Sequence, residues 1–158
     1  MVRLASSLLG AALLLLALPA HGQDWQKGLD AYERGDYATA LAEWRPLAEA
    51  GVPGAQINLG IMYRNGHGVN RDYAEAARWY RLAAERGHVV AQFNLGVLYA
   101  DGEDAPRDDV RAHMWFDLAA AQGSDRAAEA RDLVAARMTP ATVAEAEGLA
   151  REWRKAHQ

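Results

Sequence analysis

AQINLGIMYRNGHGVNRDYAEAARWYRLAAERG, Ala55 to Gly87, returns with small changes as AQFNLGVLYADGEDAPRDDVRAHMWFDLAAAQG, Ala91 to Gly123. Gln56, Asn58, Leu59, Gly60, Tyr63, Gly66, Arg71, Asp72, Ala76, Trp79, Leu82, Ala83, Ala84 and Gly87 each recur 36 residues on, with no insertion. Their counterparts include Gln92, Asn94, Leu95, Gly96, Tyr99, Asp108, Trp115, Leu118 and Gly123. A supersecondary unit repeated every 20 to 50 residues or so cannot bury its own apolar face, and stacks on its neighbours to do so. The period therefore points to a solenoid.

Each unit reads as two helices joined by a glycine-bearing turn. In the first helix of Ala55–Gly87, Ile57, Gly60 and Ile61 fall at spacings of three and four, with Leu59 and Tyr63 on an adjoining strip. Gly60 inside this pattern costs about 0.5 to 1 kcal/mol relative to alanine. Its recurrence as Gly96 predicts that a neighbouring helix approaches closely there. Gly66-His67-Gly68 supplies the turn. Asp72 with Glu75 has capping-box spacing for the second helix, whose stripe is Ala76, Tyr80, Ala83 and Ala84. Gly51, Gly87 and Gly123 punctuate the array at equal spacing. In the next unit the turn runs Asp101-Gly102-Glu103-Asp104-Ala105-Pro106; its acids lack EF-hand spacing and read as a solvated loop.

Upstream, the end of Asp24–Gly51 falls into the same register, with Asp36, Tyr37, Ala40 and Gly51 matching Asp72, Tyr73, Ala76 and Gly87. Its turn is shorter, between Tyr32 and Asp36, and Asp24 is a plausible helix start. Downstream of Gly123 the text stops matching. Ser124-Asp125-Arg126 opens a helix to about Arg137, and Thr139-Pro140 provides an N-cap and first-turn proline for a last helix. Val143, Ala146, Leu149, Ala150 and Trp153 predict one apolar stripe on it, as a terminal capping helix requires. The expectation is an all-α chain, a right-handed α-solenoid of eight helices in four antiparallel pairs. The segments are 23–53, 54–89 and 90–125 for the three repeats, and 126–158 for a closing helix pair.

Residues 1–22 have the layout of a secretory signal peptide: Arg3, an apolar run from Leu8 to Leu18, then Ala20-His21-Gly22. The run is about half the roughly 20 residues that a transmembrane helix needs. Cleavage after Ala20 or Gly22 would release an exported protein, periplasmic or secreted, with no membrane span. The absence of cysteine removes a disulfide framework and a lipidated cysteine. With 17 Lys and Arg against 21 Asp and Glu the net charge is −4, and without Arg3 the balance is 16 against 21, or −5. A mildly acidic chain is a poor partner for nucleic acid or anionic lipid.

The pattern Ala55, Leu59, Gly60, Tyr63, Gly66, Gly68, Val69, Asp72, Ala76, Trp79, Tyr80, Ala83, Ala84 and Gly87 closely resembles the Sel-one-like repeat family, a relative of the tetratricopeptide repeats with a longer turn. The following unit departs from it at Asp104, Ala105 and Phe116, and the first unit is nearer an ordinary tetratricopeptide repeat. The resemblance implies a solenoid whose first helices line a concave face, and a non-catalytic adaptor or scaffold that binds another protein or an extended peptide. It also implies binding positions: Asn58 and Asn94 stand where tetratricopeptide domains present an asparagine to a peptide backbone. With Gln56 and Gln92 beside them, and no base on that strip, a C-terminal carboxylate is not the expected ligand.

Residues with enzymatic or metal chemistry are scattered. His67, His88, His113 and His157 show no i, i+3 or i, i+4 pairing for a metal, and neither a nucleophile elbow nor a phosphate loop is present. The reading is no enzyme, no cofactor and no metal. Trp79 and Trp115, with Tyr80 and Phe116 beside them, are best explained by packing between helix pairs. Trp25 and Trp153, near opposite ends, could serve as anchors, with structural use the favoured reading. The alternatives to an envelope adaptor are a module acting on cell-wall fragments and a structural spacer in an envelope complex.

Overall fold

A computed structural model describes residues 21–102 and 107–157. The signal-peptide reading falls almost wholly outside the described residues, as do positions 103–106 of the acidic turn. Among the described residues there are eight helices and no strand: α1 (His21–Glu33), α2 (Tyr37–Glu49), α3 (Pro53–Asn65), α4 (Tyr73–Ala84), α5 (Val89–Asp101), α6 (Asp109–Ala120), α7 (Asp125–Ala135) and α8 (Pro140–Ala156). α1 with α2, α3 with α4 and α5 with α6 form three packed pairs, and each pair stacks on the next to make the α-solenoid.

The helix starts follow the 36-residue period. Asp36, Asp72 and Asp108 are the N-caps of α2, α4 and α6, accepting from the backbone N–H of Thr39 at 3.2 Å, Glu75 at 2.9 Å and Arg111 at 2.8 Å. Each satisfies an orphan donor of the first turn. The bond from Thr39 holds the Asp36 carboxyl below the usual carboxylate range. Only this half of the expected capping box forms at Asp72. Glu75 turns its carboxylate to Arg78 instead, at 2.6 and 2.9 Å, because a charged partner one turn away outcompetes a backbone amide. A reciprocal box does occur at α8, between Thr139 and Thr142. α3 ends at Gly66, whose φ of 72° is left-handed and lets its N–H bond the Met62 carbonyl.

Close approach explains the helical glycines. A Cβ at Gly60 would clash with the ring edge of Tyr80, and one at Gly96 would stand 2.7 Å from Phe116. Gly28 does the same for Trp44 in the first pair. Trp44, Tyr80 and Phe116 are themselves 36 residues apart, so one ring per repeat presses on a bare backbone. The predicted stripe of α4 is fully buried at Ala76, Tyr80, Ala83 and Ala84.

The closing segment differs from a fourth pair. α7 and α8 both pack on α6, with α8 running along it rather than against α7. Ala146 and Ala150 face inward with no exposure, while Leu149, expected on that stripe, is 37% exposed. The small residues Ala146 and Ala150 let α8 lie close to α6, and they, rather than Leu149, form its inner face. Asp117 of α6 ties the three together, accepting from Arg131 of α7 at 3.3 Å and Arg154 of α8 at 3.1 Å. The terminal tryptophans serve packing: Trp25 lies 5.7 Å from Trp44, and Trp153 meets Trp115 edge-on at 6.2 Å.

Candidate functional site

The four residues singled out from sequence separate into two kinds. Gln56 and Gln92 are buried, at 4% and 0% exposure. Gln56 Nε2 donates to the Ala48 carbonyl at 3.1 Å, and Gln92 Nε2 to the Ala84 carbonyl at 3.2 Å. Gln92 Oε1 also accepts from Gln122 Nε2 at 2.9 Å. Both glutamines thus staple the end of one repeat to the first helix of the next. The Gln92 amide is used at both ends, while Gln56 Oε1 is buried without a partner at the wall of a cleft between α2 and α4. They share a helix with the asparagines but occupy its inner side.

Asn58 and Asn94 are half-buried and reach the surface of the first helices. Neither side chain has a hydrogen-bond partner among the described residues. Around Asn58 a cleft of about 120 Å³ is lined by Leu29, Tyr32, Trp44 and Ile61. This is an apolar recess with one amide at its edge. Ile61 recurs 36 residues on as Val97 and again as Leu133. Ile61 and Val97 are half-buried, and Leu133 is 74% exposed. Leu29, Ile61 and Val97 each follow a close-approach glycine, Gly28, Gly60 and Gly96, and Leu133 comes next in the period. The four form an aliphatic row by register along α1, α3, α5 and α7, of which Leu29 and Ile61 share the Asn58 recess. Beside it the asparagine row ends at Ala130, the counterpart of Asn94.

Leu133 was not legible in the sequence as part of this row, because the repeat text ends at Gly123. The available signal was fainter: Ala127 lies 36 residues after Ala91, and both are fully buried.

The rim of the first repeat is aromatic. His67, from the turn after α3, stacks on Tyr37 at 4.4 Å and shares a 2.9 Å hydrogen bond with the Tyr32 hydroxyl. Burial pushes the Tyr32 hydroxyl's pKa up. His67 is thereby a clasp between repeats. His113 is enclosed among α6, α7 and α8, and desolvation lowers its pKa. Among the described residues no group of three His, Asp or Glu side chains comes together as a metal-ion set. No described helix is long and apolar enough to cross a membrane.

Residues 53–88 and 89–124 each match the Sel1 repeat model. The crystal structure of a Sel1 repeat protein from Oxalobacter formigenes is 36% identical, covering 72% of this chain and 88% of that one, with a TM-score of 0.61. This chain belongs to the Sel1-repeat family. A protective antigen present in uropathogenic Escherichia coli strains, which displays an SLR fold, superposes on 88% of this Sel1 chain at 29% identity and a TM-score of 0.81. The chain spans 31% of that antigen's length. A search of curated proteins finds no match. Sel1-repeat proteins generally mediate protein–protein interaction, and the fold is typically a non-catalytic scaffold.

Proposed function

We propose that this Sel1 chain is an exported interaction module of the bacterial cell envelope that holds an extended segment of another protein along the aliphatic row of its first helices. The observation that carries the reading is the pair of unpartnered, half-buried amides at Asn58 and Asn94 beside that row. A half-buried amide that finds no partner within its own chain gains one when a peptide backbone passes. The recess at Asn58 has room for one aliphatic side chain of the ligand, so backbone bonds would supply affinity and the recess specificity.

Peptides selected from a random phage-displayed library on the wild-type protein test it. We expect enrichment of an aliphatic residue, and a loss of roughly thirtyfold in affinity for the N58A/N94A double variant, as two hydrogen bonds of about 1 kcal/mol each imply. Equal binding to the double variant, with unchanged helicity, would remove the groove. Export has its own test. The mature chain recovered from the envelope should begin at His21 or Gln23, and both cuts retain Trp25 against Trp44. A protein still carrying Met1 in the cytoplasm would refute it.

A further inference from the structure

α4 and α6 are the same element 36 residues apart, and only one of them is covered on its outer face. Over α6 lies α8: Ala150 packs in the cluster of Leu118 and Trp115, Trp153 meets Trp115, and Arg154 pairs with Asp117 at 3.1 Å. Under this cover Leu118 is 2% exposed, whereas its counterpart Leu82 on α4 is 40% exposed. Arg78 and Arg81 beside it are exposed too. α4 packs chiefly on α3 and α5, so the place that α8 fills over α6 has no filler over α4. A cleft of about 520 Å³ opens there, between the end of α2 and α4, with Trp79 among its walls.

The chain thus displays what this face accepts, namely an amphipathic helix that offers small residues and one aromatic ring. The charges decide whose helix it is. Where α6 has Asp117 to meet Arg154, α4 has Arg81, whose partner is the neutral Tyr99 hydroxyl at 2.9 Å. Met114 and Gln122 are likewise replaced by Arg78 and Arg86. Glu75 neutralises Arg78, while Arg86 donates to the Gly51 carbonyl at 2.6 Å. Glu49 and Glu85 also line the cleft. The α8 of a second copy would bring Arg154 onto Arg81, a like-charge contact that opposes docking.

We propose that the outer face of α4, centred on Arg81 and Leu82, docks an amphipathic helix of a partner protein that carries a carboxylate where α8 carries Arg154. This surface is separate from the aliphatic row of the first helices and stands or falls independently of it. The probes are two synthetic helices, residues 140–156 of this chain unaltered and the same segment with R154E, titrated by fluorescence anisotropy against the whole protein. The R154E helix should bind about tenfold or more tightly than the unaltered one. L82D should cost it a similar factor, R81A should erase the preference between the two helices, and R81E should invert it. All three substitutions lie on exposed positions, so thermal melts should stay close to wild type. Equal binding of the two helices, no binding, or indifference to L82D overturns the proposal. So does self-association of the whole protein that R154E in the chain abolishes, which would assign the face to a second copy.

Discussion

At Gln92 both ends of the amide are satisfied, by the Ala84 carbonyl and by Gln122. Gln56 has only the Ala48 carbonyl, since Arg86 stands where the next repeat has Gln122 and bonds Gly51 instead. The sequence showed two polar residues on α3 that recur on α5, and period alone cannot tell an amide that staples repeats from one that faces a ligand. The difference lies in which side chain comes within reach of the preceding helix's end, where the Ala48 and Ala84 carbonyls accept from Gly51 and Gly87 N–H and from the glutamines as well, a tertiary fact. Tyr80 carries a related lesson. Its ring fills the space over Gly60, but its hydroxyl is buried without a partner, and desolvation drives its pKa upward. The next repeat has Phe116 at the same position. Removing an unsatisfied buried hydroxyl removes its desolvation cost, so Tyr80→Phe should stabilise the protein by about 1 kcal/mol. A chemical denaturation midpoint moving upward with unchanged slope would show it; a lower midpoint would mean that the hydroxyl is in fact bonded.

Two glycines inside helices face opposite consequences at the scale of the element. Gly60 has no room for a Cβ because Tyr80 occupies it, whereas a Cβ at Gly148 of α8 meets only the tip of Arg151 at 3.8 Å. Alanine gains about 1 kcal/mol of helix propensity at either place. At Gly148 nothing opposes that gain, and G148A should raise the melting temperature. At Gly60 the ring and its helix must move, at an overpacking cost of about 1 to 3 kcal/mol, and G60A should lower it. Parallel melts of the two variants check the pair, and equal shifts would contradict the close approach. The recurrence of Gly60 as Gly96 made this approach legible in advance. Gly28 was missed because the short first turn shifts its helix out of register with the later ones. The caps at Asp72, Ser124 and Thr139 were equally legible, since each needs only local sequence.

What the period could not disclose was the closure of the whole molecule, where α8 lies along α6 and both bracket His113 together with α7. That arrangement depends on Ala146, Ala150 and Asp117 meeting across long separations, and such a meeting leaves no periodic trace. His113 is 3% exposed and its Nδ1 has no partner. Burial lowers its pKa first of all. Asp117 and Glu147 work against this, Asp132 adds to them, and Arg131 assists burial. The unfolded chain therefore binds a proton at His113 at a higher pH than the folded chain does. By linkage its contribution to stability is fully present above the unfolded value of about 6.5, and declines as pH falls from there through the lowered folded value. Protonation would place a cation between α6 and α8 without a hydrogen-bond partner for it. Melting temperatures at pH 7.5 and pH 5 should thus differ more in the wild type than in H113M, which keeps an unbranched side chain of similar reach but cannot titrate. If the two proteins lose the same stability over that interval, His113 is not enclosed, and the junction of α6, α7 and α8 must be looser than its packing implies.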